Sequence, residues 1–505
     1  MAVVYALLCV GALSTIYPFL LMASTGFKGI SDQLDNKIVP DYFSNFDGKD
    51  DKGKLADGSL LNKYLQDKYA ADLASIASTR IGKDADAEAV KQYEKFVMEL
   101  PIDAWHAGFR AAPNQQTSRL TVLYQAWLRE KFGTIENLNK AYIEENLAFQ
   151  TVAPPSEVLD KKNWVPRKGA KYPEWLEFKK TLPAEYRIPI RLQKIYQDWL
   201  RGKFQNQFAN IDAKYIGNDA KTIDEIVIPN DAAVRSEFMA AAVPDRFQRQ
   251  TAESRWAKLD SGPIPIESFE RSFLAANQSG VKQEFASRNY RYVLNYVALN
   301  GRALVNTVIF CGLAILTQLI VNPLAAYALS RYPIKASFKI LLFLLATMAF
   351  PAEVAMIPSF LLLKDMGLLN TFAALVLPTA ASGYMIFLLK GFFDSLPIEL
   401  FEAGQLDGAK ESTMLAKIAL PLSKPVLGYL ALTAFMGAYG AFLYAFVVCQ
   451  DQRVWTLMVF IYQLQTVAPR ATVMAALTLA AIPTIVVFLM AQRVIMRGIV
   501  LPGER

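Results

Sequence analysis

Long apolar segments at both ends of the chain limit most strongly what it can fold into. The first runs from Met1 to about Ser24, and further apolar segments, separated by short polar loops, follow residue 300. About 20 helical residues cross a bilayer. The pattern therefore predicts an all-α polytopic membrane protein with six transmembrane helices, the first followed by five at Ala303–Leu329, Ile340–Leu363, Phe372–Leu389, Val426–Cys449 and Thr472–Ala491.

The first apolar segment has two interpretations. A cleaved signal peptide would fit the small residues Ala23, Ser24 and Gly26 near its end. However, the apolar run is longer than the roughly 7 to 15 residues of a signal-peptide core, and no basic residue precedes it. We therefore expect a retained transmembrane helix over residues 1–27.

Residues 28–300 are polar and charged, with aromatic residues scattered through them. Their apolar residues recur at helical spacing, and the aromatic content is too high for a disordered linker. We predict a large, mainly α-helical extracytoplasmic domain inserted between the first and second transmembrane helices, with the other five helices in residues 301–505. A composition of 53% hydrophobic and 20% charged residues agrees with a membrane part joined to a water-soluble part.

The inserted domain contains an internal repeat. Residues 124–132 read YQAWLREKF and residues 196–204 read YQDWLRGKF, and each copy follows a Leu-Pro pair. In a helix, Tyr, Trp and Leu at positions i, i+3 and i+4 share one apolar face. One hypothesis is that two helical repeats pack these faces together. The other is that Trp127 and Trp199 form a sugar-stacking platform, and residues 133–142 resemble a short helical segment of certain β-galactosidases.

The composition argues against several other classes of function. His106 is the only histidine, and Cys9, Cys311 and Cys449 have no C-x-x-C spacing, so we expect no histidine chemistry, zinc site or disulfide framework. The net charge of +7 comes with no basic run interleaved with aromatic residues, as nucleic-acid binding would require. We expect no metal site and no catalytic residue in this chain.

The charges of the loops predict the orientation in the membrane. Arg331, Lys335 and Lys339 lie between the second and third predicted helices, and Arg493 and Arg497 follow the last one. Basic residues accumulate in cytoplasmic loops. Six helices then place both termini in the cytoplasm and the inserted domain outside.

A long polar loop, residues 395–425, separates the fourth and fifth predicted helices. Pro397 suits a helix start, with Ser395 as N-cap and with Glu399 and Glu402 near the positive end of the helix dipole. Gly408 would end this helix, and a second short helix would run from Lys410 to Pro421. The sequence predicts a compact helix-turn-helix on the cytoplasmic side.

This loop resembles the EAA loop of binding-protein-dependent ABC importer permeases, whose pattern is E-A-A, three residues, G, nine residues, I-x-L-P. The pattern matches here in register, with Gly404 in place of the second alanine. Leu406, Asp407 and the residues around Pro421 resemble the carbohydrate branch, the MalG-like inner-membrane components. The residues that the resemblance assigns to ATPase docking are Glu402, Ala403, Gly404, Leu406, Asp407, Gly408, Ile418, Leu420 and Pro421.

The resemblance extends beyond the EAA loop, over the first thirty residues and nearly everything after residue 300. Two positions depart from the family pattern. Tyr439-Gly440 stands where a Trp-Asn pair is common, and residues 501–505 differ from the usual tail. The other matching segments are residues 16–19, 27–28, 306–307, 325–331, 351–358, 367–371 and 497–498.

The resemblance implies the MetI-like permease fold in a bacterial inner (cytoplasmic) membrane, and a set of partners. Two cytoplasmic ATPase subunits would bind ATP and Mg and dock on EAA loops. A second permease subunit of the MalF type and an extracytoplasmic sugar-binding protein would complete the importer in the lipid bilayer. The chain contains no G-x-x-x-x-G-K-[ST] phosphate-binding loop, so we expect it to bind no cofactor itself.

Glu353 lies inside an apolar span, flanked by Pro351 and Pro358. Charged residues within membrane spans usually face protein or a water-filled cavity, so Glu353 is a candidate for the translocation pathway. The outer membrane interface is the alternative position, because a carboxylate is tolerated there.

Two other functions remain open. The inserted domain could make the chain a membrane-tethered carbohydrate-binding or glycoside-processing protein. A glycosidase needs two carboxylates that converge across a cleft, and no acidic motif singles out such a pair. The chain could also be a structural docking protein, although six helices and an EAA loop exceed what that role needs.

Overall fold

The computed structural model describes residues 1–48, 58–69, 85–111, 118–146, 149, 152–260, 262–299, 302–349 and 351–496. The chain divides into two compact units. The first comprises Met1–Tyr292 with Ala468–Ala471, and the second comprises Val293–Val467 with Thr472–Arg505. Both are built from helices, as the sequence predicts.

The first unit contains the N-terminal apolar helix and a series of shorter amphipathic helices. Asp86, Ser118, Thr134 and Asp231 each cap a helix N-terminus with the side chain. The helices are α1 (Ala2–Gly26), α2 (Leu60–Tyr69), α3 (Ala87–Glu99), α4 (Arg119–Phe132), α5 (Ile135–Tyr142), α6 (Lys171–Lys180), α7 (Leu192–Lys203), α8 (Ala232–Ala241), α9 (Asp245–Arg249), α10 (Ala252–Trp256), α11 (Ile266–Ala276) and α12 (Gln278–Leu294), with 3-10 turns at Asp41–Phe43, Ala184–Tyr186, Phe208–Asn210, Ala213–Tyr215 and Ile223–Glu225.

Two short strands join the copies of the internal repeat. Strand β1 (Trp105–Ala107) follows the first Leu-Pro pair, and strand β2 (Arg187–Pro189) follows the second. They pair antiparallel, with Trp105 opposite Pro189 and Ala107 opposite Arg187. Each copy of the repeat therefore consists of a Leu-Pro pair, a strand and then the Tyr-Trp-Leu helix.

The two repeat helices do not pack their apolar faces together. Tyr124 and Leu128 of α4 are fully buried in one aromatic cluster, which includes Trp105. Tyr196 and Leu200 of α7 are fully buried in a second cluster. The hypothesis of mutually packed repeats is wrong because each face has its own neighbours on later segments of the chain, which the sequence periodicity of one helix does not reveal.

The second unit contains the other apolar helices. They are α13 (Ala303–Arg331), α14 (Ser337–Thr347), α15 (Ala352–Asp365), α16 (Phe372–Val376), α17 (Gly383–Asp394), α18 (Glu399–Leu406), α19 (Glu411–Met414), α20 (Leu420–Leu422), α21 (Lys424–Tyr439), α22 (Phe442–Val448), α23 (Leu457–Val467) and α24 (Arg470–Met496), with π-helical turns at Asn295–Leu299 and Leu415–Ala419 and 3-10 turns at Leu377–Thr379 and Gln452–Val454.

Three of the predicted membrane spans are single helices long and apolar enough to cross a bilayer: Val3–Gly26, Ala303–Arg331 and Arg470–Gln492. Two bent helix pairs also pass the test of length and apolarity, although the first helix of the second pair lies in the predicted cytoplasmic loop. One joins Phe372–Thr379 to Gly383–Asp394 with a bend of 50°, and the other joins Glu411–Leu422 to Lys424–Tyr439 with a bend of 82°. Up to five candidate spans result in the part of the chain that the structure describes.

The prediction of one continuous helix over Ile340–Leu363 is wrong. Helix α14 ends at Thr347 and α15 begins at Ala352. Pro351 explains the break, because proline has no backbone N–H and disfavours the helical conformation of the residue before it. Val426–Cys449 is likewise two helices, since α21 ends at Tyr439 beside Gly440.

Candidate functional site: the EAA loop and a cavity of the second unit

The turn of the EAA loop is a well-defined helix end. Helix α18 finishes at Leu406, and Gly408 adopts a left-handed conformation with φ of +72°. The Ala409 N–H donates to the Gly404 carbonyl at 2.9 Å, and the Gly408 N–H donates to the Gln405 carbonyl at 3.0 Å. This pair of bonds is the Schellman arrangement. It places the glycine of the EAA pattern where a residue without a Cβ is favoured.

Gly404, the departure from the E-A-A pattern, lies against the second helix of the loop. A Cβ added there would be 3.4 Å from Ile418 Cδ1 and 3.5 Å from Met414 Cγ. Both distances are ordinary van der Waals contacts, so an alanine fits this position. The substitution in this sequence therefore leaves the packing of the two helices intact.

Pro421 shapes the second half of the loop. Helix α19 is followed by the π-helical turn Leu415–Ala419 and then by α20 (Leu420–Leu422), which carries Pro421. A proline ring prevents a regular helical bond to the preceding turn, and a π-turn accommodates the lost bond. The predicted single helix from Lys410 to Pro421 is thus interrupted.

Ser395 is not the N-cap of α18, because its hydroxyl donates to the Phe392 carbonyl at 2.7 Å.

The EAA loop has one exposed and one buried side. Phe401, Met414 and Ala419 are buried in an apolar cluster. On the other side, Leu406 is 90% exposed, which is unusual for a leucine. Six neighbouring residues of the loop are also exposed to solvent: Glu402, Ala403, Gln405, Asp407, Gly408 and Lys410.

Hydrogen-bond and cation–π contacts attach the EAA loop to the long helix α13. The Tyr327 hydroxyl donates to Glu411 Oε2 at 2.9 Å. The Arg331 guanidinium lies 3.7 Å from the ring centre of Phe401 and donates to the Phe393 carbonyl at 2.6 Å. Tyr327 and Arg331 lie in a segment that resembles the permease family, but no residue spacing indicated that they contact a loop about seventy residues away.

A cavity of about 390 Å³ lies among α13, α15, α21 and α22 of the second unit. We call it the core cavity. Its wall is largely apolar, with polar groups from Gln318, Glu353, Ser359, Thr379 and Tyr444. Glu353 is exposed in the first turn of α15, and the Tyr444 hydroxyl donates to the Ala374 carbonyl at 2.8 Å. The volume falls in the range of small-molecule sites, roughly 300 to 1,000 Å³.

The other sequence-predicted residues lie elsewhere. Trp127 and Trp199 belong to the first unit and are half-buried beside their clusters. Within the described residues, no group of three or more His, Cys, Asp or Glu side chains could hold a metal ion. Arg497, Gly498 and the tail 501–505 lie outside the described residues.

Residues 322–500, which include the EAA loop and Glu353, match the family model described as binding-protein-dependent transport system inner membrane component. The trehalose/maltose transport system permease protein MalG of Thermococcus litoralis is 34% identical over 225 residues, which are 43% of this chain and 81% of that protein. The chain belongs to this family. It is a permease subunit of an ABC importer, a transport component that works with ATPase and binding-protein partners.

Further relatives of this permease come from several transport systems. The sn-glycerol-3-phosphate permease protein UgpE of Yersinia pestis is 33% identical and is covered over 73% of its length. The polygalacturonan/rhamnogalacturonan permease protein YtcP of Bacillus subtilis is 28% identical and is covered over 81%. A solved bacterial ABC transporter involved in the import of alginate is 27% identical, with a TM-score of 0.37 over 41% of this chain and 78% of that chain.

Proposed function

We propose that this permease forms half of the translocation pathway of an ATP-driven importer for a sugar or oligosaccharide, and that its EAA loop docks an ATPase subunit. The observation that carries the docking proposal is the two-sided loop. An exposed surface around Leu406 is available to a partner, while Glu411 and the buried Phe401 of the same loop contact Tyr327 and Arg331 of α13. A displacement of the loop would therefore be transmitted to a membrane helix.

The proposed topology has six transmembrane helices with both termini in the cytoplasm. The basic residues Arg331, Lys335 and Lys339 flank the end of α13 and support a cytoplasmic position for that end. Residues 28–300 would then form an extracytoplasmic insertion. The pieces α14 and α15 would together make the third crossing, broken at Pro351.

The proposed assembly contains four further components: two ATPase subunits, a second permease subunit, and an extracytoplasmic sugar-binding protein. ATP and Mg would be bound by the ATPase subunits. The second permease is a MalF-like chain or a second copy of this chain. The family description, which names a binding-protein-dependent system, supports the binding protein.

A carbohydrate substrate is supported by the relatives and by the core cavity. The names of two relatives specify trehalose/maltose and polygalacturonan/rhamnogalacturonan transport. The core cavity combines apolar wall with the carboxylate of Glu353 and the amide of Gln318. A few polar groups in an apolar pocket fix the orientation of a ligand, and these groups can bond to sugar hydroxyls.

Reconstitution of the purified importer in proteoliposomes tests the docking proposal. We expect Glu402→Ala to remove ATP-coupled uptake while the chain still inserts into the membrane. Glu130→Ala, which also removes an exposed helical glutamate but from α4 of the first unit, serves as the matched control. Uptake at the unmodified rate in Glu402→Ala would refute the docking role.

A further inference from the structure

A cleft in the first unit combines two indole rings with charged side chains. Its volume is about 500 Å³, and Asp160, Asn163, Trp164, Asp198, Trp199 and Lys203 are among its lining residues. We call it the Trp199 cleft. The core cavity belongs to the second unit and shares none of these residues.

The indole of Trp199 packs against two aromatic rings of the first unit. Its ring lies 5.6 Å from that of Phe238 and 5.7 Å from that of Tyr215, centre to centre. The Lys203 ammonium is 4.8 Å from the indole centre. Trp199 nevertheless remains half-buried, and part of its surface borders the cleft. Aromatic side chains fixed in this way form rigid apolar contact surfaces.

Trp164 provides the second ring of the cleft. It follows the loop segment that carries Asp160 and Asn163, and its indole lies 5.7 Å from the ring of Tyr172 at an angle of 65°. Like Trp199, it is half-buried and packs against the second cluster. The cleft therefore has two apolar rings, one from the loop and one from α7.

The two carboxylates of the cleft already have protein partners. Asp160 Oδ1 lies 3.3 Å from His106 Nε2. Asp198 accepts hydrogen bonds from Lys194 at 2.9 Å and from Arg201 at 2.6 Å. The pairing orients both carboxylates, so the cleft suits a ligand that offers many hydroxyl groups rather than a strong ion.

We propose that the Trp199 cleft is a carbohydrate-binding site, in which a pyranose ring stacks on Trp199 and its hydroxyls bond to Asp160, Asn163 and Asp198. A pyranose ring has an apolar C–H face and a rim of hydroxyls, and the cleft offers an aromatic surface bordered by oriented polar groups. The volume admits a short oligosaccharide. This site is independent of the proposed transport pathway, because its residues all belong to the first unit.

The internal repeat supplies the matched control. Trp127 occupies the same place in α4 as Trp199 in α7, and Lys131 lies over its ring at 4.8 Å, as Lys203 does over Trp199. Trp127 stacks on Tyr124 and packs against Phe178. It does not line the Trp199 cleft. The two tryptophans therefore share their helix position and their lysine contact, but only Trp199 lines the cleft. Comparing their alanine variants separates the loss of a cleft residue from the loss of an indole in general.

The full chain in nanodiscs is titrated by calorimetry with maltotriose, galactotriose and trigalacturonate, and with glycerol as an acyclic polyol. We expect at least one trisaccharide to bind, with affinity at least tenfold lower in Trp199→Ala and Asn163→Ala, unchanged in Trp127→Ala, and largely retained in Trp199→Phe. Asn163→Ala is an exposed loop change that should leave the fold intact. Trigalacturonate is the charged competitor, and we expect it to bind no better than the neutral sugars.

Three results would overturn the proposal. The first is that none of the trisaccharides binds. The second is that Trp127→Ala weakens binding as much as Trp199→Ala does, while Asn163→Ala has no effect. The third is that glycerol binds as well as the sugars, because stacking on a ring would then contribute nothing.

Discussion

The hydroxyl of Tyr327, near the end of a 29-residue membrane helix, donates a hydrogen bond to the carboxylate of Glu411 in the EAA loop at 2.9 Å. The two residues are 84 positions apart in the chain. A bond to a charged group contributes more than one between neutral groups, about 1.5 to 3 kcal/mol. It links the proposed ATPase-docking surface directly to the helix bundle.

Tyr327→Phe should weaken this link without disturbing membrane insertion. We expect ATP hydrolysis by the reconstituted importer to continue while uptake per ATP falls several-fold, because movement of the loop is no longer fully transmitted to α13. Tyr332→Phe is the control, since Tyr332 lies just beyond the same helix and is 48% exposed. Equal uptake per ATP in the two variants would exclude a coupling role for the bond.

Two glycines of the EAA loop should respond in opposite directions to alanine. Gly408→Ala forces a Cβ into a left-handed conformation and should destabilise the loop by about 1 kcal/mol. Gly404→Ala places a Cβ at ordinary contact distance and should be neutral or stabilising by up to about 1 kcal/mol, because alanine favours the helix. Thermal unfolding of the purified complex measures both. If Gly404→Ala unfolded at a lower temperature than Gly408→Ala, the result would contradict the described turn.

Glu353→Gln should change transport through the core cavity. The substitution keeps the shape but removes the charge, so we expect a several-fold change in the KM for uptake or in the ranking of competing sugars. Asp365→Asn at the opposite end of α15, about 18 Å away by helical rise, is the control. If both variants transport every sugar as the unmodified chain does, Glu353 lies outside the pathway.

The first unit should gain stability between about pH 8 and pH 10. Burial lowers the pKa of the Lys179 ammonium to about 8, although the adjacent Glu157 carboxylate at 3.0 Å acts in the opposite direction. In the unfolded chain this lysine keeps its proton up to about pH 10.4. The unfolded state therefore binds more protons over this interval, and the free energy of unfolding rises with pH.

The expected rise is about 2 kcal/mol between pH 8 and 9.5, from about 1.4 kcal/mol for each pKa unit. Above pH 10 the trend should reverse, because burial raises the pKa of Tyr124 and Tyr186 to about 12. Unfolding followed by tryptophan fluorescence across this range checks both limbs. Lys179→Met should reduce this rise in the free energy of unfolding. A fall in stability from pH 8 to 9.5 would rule out a Lys179 pKa lowered by burial.

Local features of the chain were predictable from sequence, and contacts between distant segments were not. The left-handed turn at Gly408 follows from one glycine after a helical pattern, and the apolar spans follow from their length. The break before Pro351 was missed because apolar residues continue on both sides of it. The Leu-Pro pairs marked the repeat, but the pairing of β1 with β2 depends on tertiary structure.

The same distinction applies to the candidate sites. The EAA pattern identified the exposed residues around Leu406, since they are contiguous in sequence. The attachment through Tyr327 and Arg331 could not be predicted, because nothing local distinguishes these residues from other polar residues at a helix end. The Trp199 cleft likewise needs the loop at Asp160 to approach α7, and only the folded chain brings them together.

The most direct test of the account is a cross-link between the EAA loop and the ATPase subunit. The three native cysteines are first replaced, and Leu406→Cys is then introduced. A separate variant carries Leu259→Cys, at an exposed position of the first unit, as the control. We predict that a short reagent with one thiol-reactive and one amine-reactive end joins position 406, but not 259, to the ATPase, and that an impermeant thiol reagent labels only 259 from outside intact cells. External labelling of position 406, with no cross-link to the ATPase, would contradict the account.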